Sequence, residues 1–138
     1  TYLIWPDGDD RLTPESIQLR VRFLLENPSY DCVRSLSSYF DDKTGLPLQR
    51  EEQQGDLTKE LLFWDVLEAK TFVCCGCYML KTRPFFEIYP DRRFPEYDVC
   101  QNFQMLLPFL YRYPCHTIRQ DLYEVAVREG SSCRRNLT

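Results

Sequence analysis

The chain has 138 residues, with 17 Lys+Arg against 21 Asp+Glu, a formal net charge of -4 and 43% hydrophobic residues. That length suits one domain with its own core, and the composition excludes wholesale disorder. The acidic balance argues against nucleic acid as a partner, because neutralising phosphates needs a basic face. No apolar run approaches the roughly 20 residues that span a bilayer, and no secretory pattern opens the chain. The expected compartment is the cytoplasm, with peripheral attachment to a membrane left open.

Tyr2 to Trp5 reads as a strand that is apolar on both faces, as in a strand with neighbours on each side. It starts one residue after Thr1, which suggests a chain entered partway through a fold. Pro6 to Arg11 is turn chemistry. A helix follows, with Thr13 as N-cap, Pro14 at the first position and Ile17, Val21, Leu24 and Leu25 as its buried stripe. Asn27-Pro28 ends it, since the residue before Pro avoids the helical region.

Cys32 to Phe40 reads as a strand, Asp41 to Gly45 as a turn and Leu46 to Gly55 as a surface loop. Asp56 is expected to cap a helix carrying Leu57, Leu61, Trp64 and either Leu67 or Glu68. Thr71 to Leu80 is a continuous strand-forming run broken by Gly76, a residue that marks close approach of a ligand or another backbone. Arg83 to Tyr97 is expected to be an irregular loop. Val99 to Tyr111 reads as a helix kinked at Pro108, with Val99, Phe103, Leu106, Leu107 and Leu110 as its stripe. Two strands, Cys115 to Ile118 and Leu122 to Val127, precede a polar tail. This order of elements predicts an α/β layered fold.

Seven cysteines at irregular spacing read as small buried hydrophobes of a reduced protein. A zinc site or interaction module built on Cys74, Cys75 and Cys77 would need Cys100, Cys115 or His116 to complete it. The lone His116 lacks an acidic neighbour in sequence, which favours a structural or surface role. Phe85, Phe86, Tyr89, Phe94 and Tyr97 suit core packing under a loop better than stacking on sugars. The pairs Arg92-Arg93, Arg134-Arg135 and Glu51-Glu52 read as solvated surface.

The most informative cluster is Asp7, Asp9 and Asp10, at the carboxyl end of the first strand, where open α/β sheets bind ligands. Asp7 and Asp9, two apart across Gly8, can present oxygens to one hard cation such as Mg or Mn. An Asp-rich turn is the plain alternative. A haloacid-dehalogenase-like phosphotransferase also places an Asp pair at this spacing, but Arg11 stands where it expects a small residue.

Trp5-Pro6-Asp7-Gly8-Asp9-Asp10, with Thr13 to Ile17 and a helix ending at Pro28, resembles the DxD segment of family 2 glycosyltransferases of GT-A fold. The resemblance continues through Phe72 to Met79, Gln101 to Pro108 and Val127 to Arg134. It implies an α/β GT-A fold without its N-terminal nucleotide-binding half. Residues 1–45 would hold the DxD strand, helix and next strand, and 46–138 an acceptor-side subdomain. It implies inverting transfer of a sugar from a nucleotide-sugar, most simply a UDP-sugar, to a sugar or lipid-linked acceptor. Without the donor-base half, weak or no catalysis by this chain alone is expected.

By that analogy Asp7 and Asp9 hold the metal and donor diphosphate, Asp10 supports the loop or the sugar, and Gly76 borders the sugar pocket. Relatives often carry an acidic pair ahead of the last helix, where Gln101 and Asn102 stand here. The base role therefore passes to Asp98, or alternatively Glu96. A C-terminal position where relatives often place a metal-facing His is Ser132. An open sheet edge beside Tyr2 to Trp5 would favour self-association.

Overall fold

The structure is a computed structural model and describes residues 1–94, 97 and 101–129. The expected general bases Asp98 and Glu96, together with Val99, Cys100 and Ser132, lie outside the described residues. The fold is a mixed α/β layer structure. Its sheet contains β1 (Tyr2–Leu3), β2 (Arg11–Leu12), β3 (Cys32–Asp41), β4 (Pro47–Leu48), β5 (Tyr78–Lys81) and β6 (Cys115–Val127). The helices are α1 (Ser16–Glu26), α2 (Phe63–Leu67), α3 (Thr82–Ile88) and α4 (Gln101–Arg112). None of the described helices is long and apolar enough to cross a membrane.

The strand order is β1-β5-β3-β6-β2, with β4 added to the end of β3. The central pair, β3 and β6, is parallel, and the other pairings are antiparallel. Alternation along β3 sends Cys32 to one face and Val33 to the other, and both are fully buried. On one face Val33 and Met79 meet Leu24 of α1. On the other, Cys32, Tyr78 and Leu80 join Val66 of α2, Phe85 of α3 and Leu106, Phe109 and Leu110 of α4.

Several local expectations are corrected by this packing. The first strand is only two residues long, and Tyr2 to Trp5 are half-buried instead of enclosed on both faces. Helix α1 ends as expected, with Asn27 as its C-cap, but begins at Ser16, and the Thr13 hydroxyl is buried without a partner instead of capping it. Its buried face is Ser16, Arg20 and Leu24, whereas Ile17 and Leu25 are 42% and 67% exposed. The Arg20 guanidinium turns inward because it bonds Ser16 and the Gly76 carbonyl, the latter at 2.8 Å.

Asp56 does not start a helix; its carboxylate accepts from the Thr58 amide at 2.9 Å, and α2 is confined to Phe63–Leu67. Leu61 and Trp64, expected on a buried stripe, are 78% and 64% exposed. Within the loop after Gly45, Pro47–Leu48 pair with β3. The run Thr71 to Leu80 is not one strand, since a 3-10 turn at Cys75–Cys77 precedes β5. Part of the expected irregular loop is α3, where Pro84 sits in the first turn and needs no N–H partner. Its Phe85 is fully buried at the centre of a ring cluster with Trp5, Phe86, Tyr89 and Phe94. The two expected final strands are one, β6, with register shifts against β3 at Ser35 to Ser37.

Candidate functional site

The turn after β1 is closed by the Asp10 amide donating to the Asp7 carbonyl at 3.2 Å. Chain order leads it directly into β2, which pairs with β6 through Arg11↔Glu124 and Leu12↔Tyr123. That pairing brings the Asp10 carboxylate to β6. One oxygen accepts from the Tyr123 hydroxyl at 2.6 Å and the other from the Ala126 amide at 2.8 Å. The Tyr123 oxygen in turn accepts from the Asp7 amide at 3.0 Å. Burial, with the bond to Asp10, pushes the Tyr123 phenol well above its ordinary range, so it stays a donor to Asp10.

The three carboxylates therefore differ. Asp10 has both oxygens engaged inside the protein and positions the turn. Asp9 meets Arg128 at 3.2 Å. Asp7 is exposed and, among the described residues, its carboxylate has no hydrogen bond or ion pair. Partial desolvation in the cleft, then the charges of Asp10 and Asp9, raise the Asp7 pKa above the ordinary carboxylate value.

Asp7 and Asn102 stand where two clefts meet. One, of about 680 Å³, runs over Asp7 to Asp10 and is bounded by Arg50, Glu52, Phe72, Cys74 and Arg128. The other, of about 890 Å³, lies between Trp5 and the start of α4, with Arg93, Phe94, Tyr97 and Gln101 in its walls. Arg50, Glu52, Arg128 and the two arginines after α3 come from exposed loops and strand ends, where the sequence carries no periodic signal. Phe94 and Tyr97 line the second cleft, while Phe85 belongs to the core, so the aromatic group divides.

Gly76 lies behind the wall. It is buried, its carbonyl accepts from Arg20, and a Cβ on it would stand 2.1 Å from Cζ of Tyr123. The close approach marked by this glycine is thus made by the tyrosine ring. Neighbouring Cys74 reaches the first cleft, but a hydrogen bond with Cys77, together with burial, pushes its thiol far up, leaving it neutral and poorly nucleophilic.

Asp7 and Asp9 fit a hard divalent cation by donor type, one carboxylate being unpaired among the described residues and the other meeting Arg128. Among the described residues no three His, Cys, Asp or Glu side chains converge on one point. Mg or Mn shared with a diphosphate needs only one or two protein carboxylates, the rest being phosphate oxygens and water. Cys115 packs its sulfur 3.1 Å from that of Cys32, both buried. His116 does have an acidic neighbour, Glu60, at 2.9 Å, brought from 56 positions away. Its ring stacks on Phe23 at 4.5 Å, and Glu60 also accepts from Tyr30 at 2.8 Å, a cluster that ties α1 and the loop before α2 to β6. Neither a scan against protein-family models nor a search of curated proteins finds a match to this chain.

Proposed function

We propose that this chain forms the metal-binding and acceptor-side part of a GT-A glycosyltransferase, transferring a sugar from a nucleoside diphosphate sugar to a carbohydrate-bearing acceptor. The observation that carries this reading is the position of Asp7 where a carboxylate-rich cleft meets a cleft walled by aromatic rings and arginines. Sugar transfer needs that division. The diphosphate must sit on one side of the anomeric carbon and the attacking hydroxyl on the other.

Asp7 and Asp9 would hold Mn or Mg, which when bound screens the charge that grows on the departing diphosphate. Asp10 contributes by keeping the turn fixed through Tyr123 and Ala126. Arg128 and Arg50 at the rim of the same cleft supply fixed positive charge for phosphate oxygens. An inverting transfer needs a base on the acceptor side, and Asp98 or Glu96, just ahead of α4 in sequence, is assigned that role. Gln101 and Asn102 of α4 line the acceptor cleft and offer amides to hold hydroxyls, though neither takes a proton.

Calorimetric titration of UDP and UDP-sugars, with and without Mn, on the native chain and on Asp9→Ala is the direct test. Mn-dependent binding that weakens about tenfold or more in the variant is expected for loss of a metal ligand. Binding indifferent to both Mn and Asp9 would overturn the reading.

A further inference from the structure

The second cleft is bordered by two arginines that the proposed reaction does not use. Arg92 and Arg93 both line it, and among the described residues neither guanidinium pairs with a carboxylate. Asp7 lines the same cleft, and two acids closer in sequence are engaged elsewhere. Glu87 pairs with Arg83 at 3.5 Å, and an Asp91 oxygen accepts the Arg93 backbone amide at 3.1 Å. Arg92 is held in place. Its φ is 56°, its amide donates to the Tyr89 carbonyl at 2.9 Å, and its guanidinium lies 4.8 Å from the centre of the Phe86 ring. A non-glycine residue in the left-handed region is strained, and such strain gathers at ligand sites.

The same cleft is also lined by Trp5, Phe94 and Tyr97, flat apolar surfaces of the kind on which sugar rings stack. Unpaired guanidinium groups recognise phosphate or carboxylate oxygens by paired N–H bonds. The geometry points to an acceptor that is an anionic saccharide, its ring against the aromatic wall and its phosphate or carboxylate on Arg92 and Arg93. The inference rests on the transferase reading for the word acceptor, but its binding chemistry stands apart from that reading.

The test is calorimetric titration of the chain with glucose 1-phosphate, glucuronate, glucose and inorganic phosphate. The same titrations are made on the Arg92→Gln/Arg93→Gln and Arg92→Lys/Arg93→Lys double variants, with UDP and Mn titrated alongside. Both arginines are exposed, so folding should persist, and circular dichroism checks it. At least one anionic sugar is expected to bind about tenfold or more tightly than glucose, an advantage lost in the Gln variant, partly kept in the Lys variant and reduced by salt. Preference for glucose 1-phosphate alone assigns a phosphate-bearing acceptor, and preference for glucuronate alone a uronate.

The inference is overturned if no sugar binds, if neutral and anionic sugars bind alike, or if the Gln variant keeps the advantage. Inorganic phosphate binding as tightly as the sugar phosphate overturns the saccharide part. Intact Mn-dependent UDP binding without anion preference sinks this inference and spares the transferase. Anion preference without UDP binding does the reverse.

Discussion

Gly76 lies under the ring of Tyr123, so close that a methyl group on it would occupy space 2.1 Å from the phenol carbon. The ring cannot swing aside cheaply, because its hydroxyl is bound to Asp10 and to the Asp7 amide and its side chain is fully buried. Three segments far apart in sequence are locked at this point, and the turn bearing Asp7 and Asp9 rests on it.

Gly76→Ala should therefore destabilise the fold by about 3 kcal/mol, toward the upper end of the cost of overpacking a core. Urea unfolding followed by circular dichroism reads it. A midpoint equal to that of the native chain would show that the ring yields freely.

Tyr123→Phe removes one hydroxyl but leaves the ring. The Asp10 oxygen and the Asp7 amide each lose their partner, which should cost about 1–3 kcal/mol. The functional consequence should be larger than the stability loss, since the freed turn no longer presents Asp7 and Asp9 in one arrangement. Mn-dependent UDP binding that survives unchanged in a destabilised Tyr123→Phe protein would separate this tyrosine from the site.

Asp7 has a raised pKa, caused by partial desolvation in the cleft and then by the charges of Asp10 and Asp9. A carboxyl whose folded pKa lies above its unfolded value favours the fold while protonated and loses that contribution as pH rises through the folded value. Asp7→Asn should thus stabilise the chain at neutral pH, and the gain should vanish below the ordinary carboxylate range. Solvent screening at an exposed residue limits the gain to about 0.5 kcal/mol. Thermal melts at neutral and acid pH compare the two proteins, and a gain that persists in acid would contradict the assignment.

Glu60 behaves in the opposite sense. Burial alone would raise its pKa, but hydrogen bonds from His116 and Tyr30 outweigh it and hold the carboxyl below its ordinary value. Its contribution is present above the unfolded pKa and lost as pH falls through the folded one. Glu60→Gln should destabilise by about 0.5–1 kcal/mol at neutral pH, discounted for partial exposure, with the difference closing in acid. The same melts test it, and an equal loss at both pH values would place the effect in packing instead of charge.

Elements governed by neighbours in sequence were legible without coordinates. Asn27-Pro28 ends α1, and the segment from Cys32 to Phe40 lies within β3. Asp41 closes the turn after it with bonds to the amides of Lys43 and Thr44, two and three residues on. The leucines around Pro108 make a helix. Each depends on dihedral preference, a local hydrogen bond or periodicity, all readable over a few positions. The Asp7-Gly8-Asp9-Asp10 turn was equally visible as a candidate site, because turn chemistry and acidic donors are properties of adjacent residues.

Tertiary structure decided the rest. Arg20 faces inward only because the Gly76 carbonyl, 56 positions away, awaits its guanidinium, and that rotates α1 away from its apparent apolar stripe. The run around Gly76 breaks into a 3-10 turn where the Tyr123 ring lies against it. Asp10 differs in role from its neighbours because its partners lie on β6, 113 and 116 positions along the chain. Arg92 and Arg93 read as solvated charge until Trp5 and the start of α4 border a cleft beside them. A partner distant in sequence leaves no periodic or propensity signal at the residue it will meet, so only the packing of distant segments against one another determines these roles.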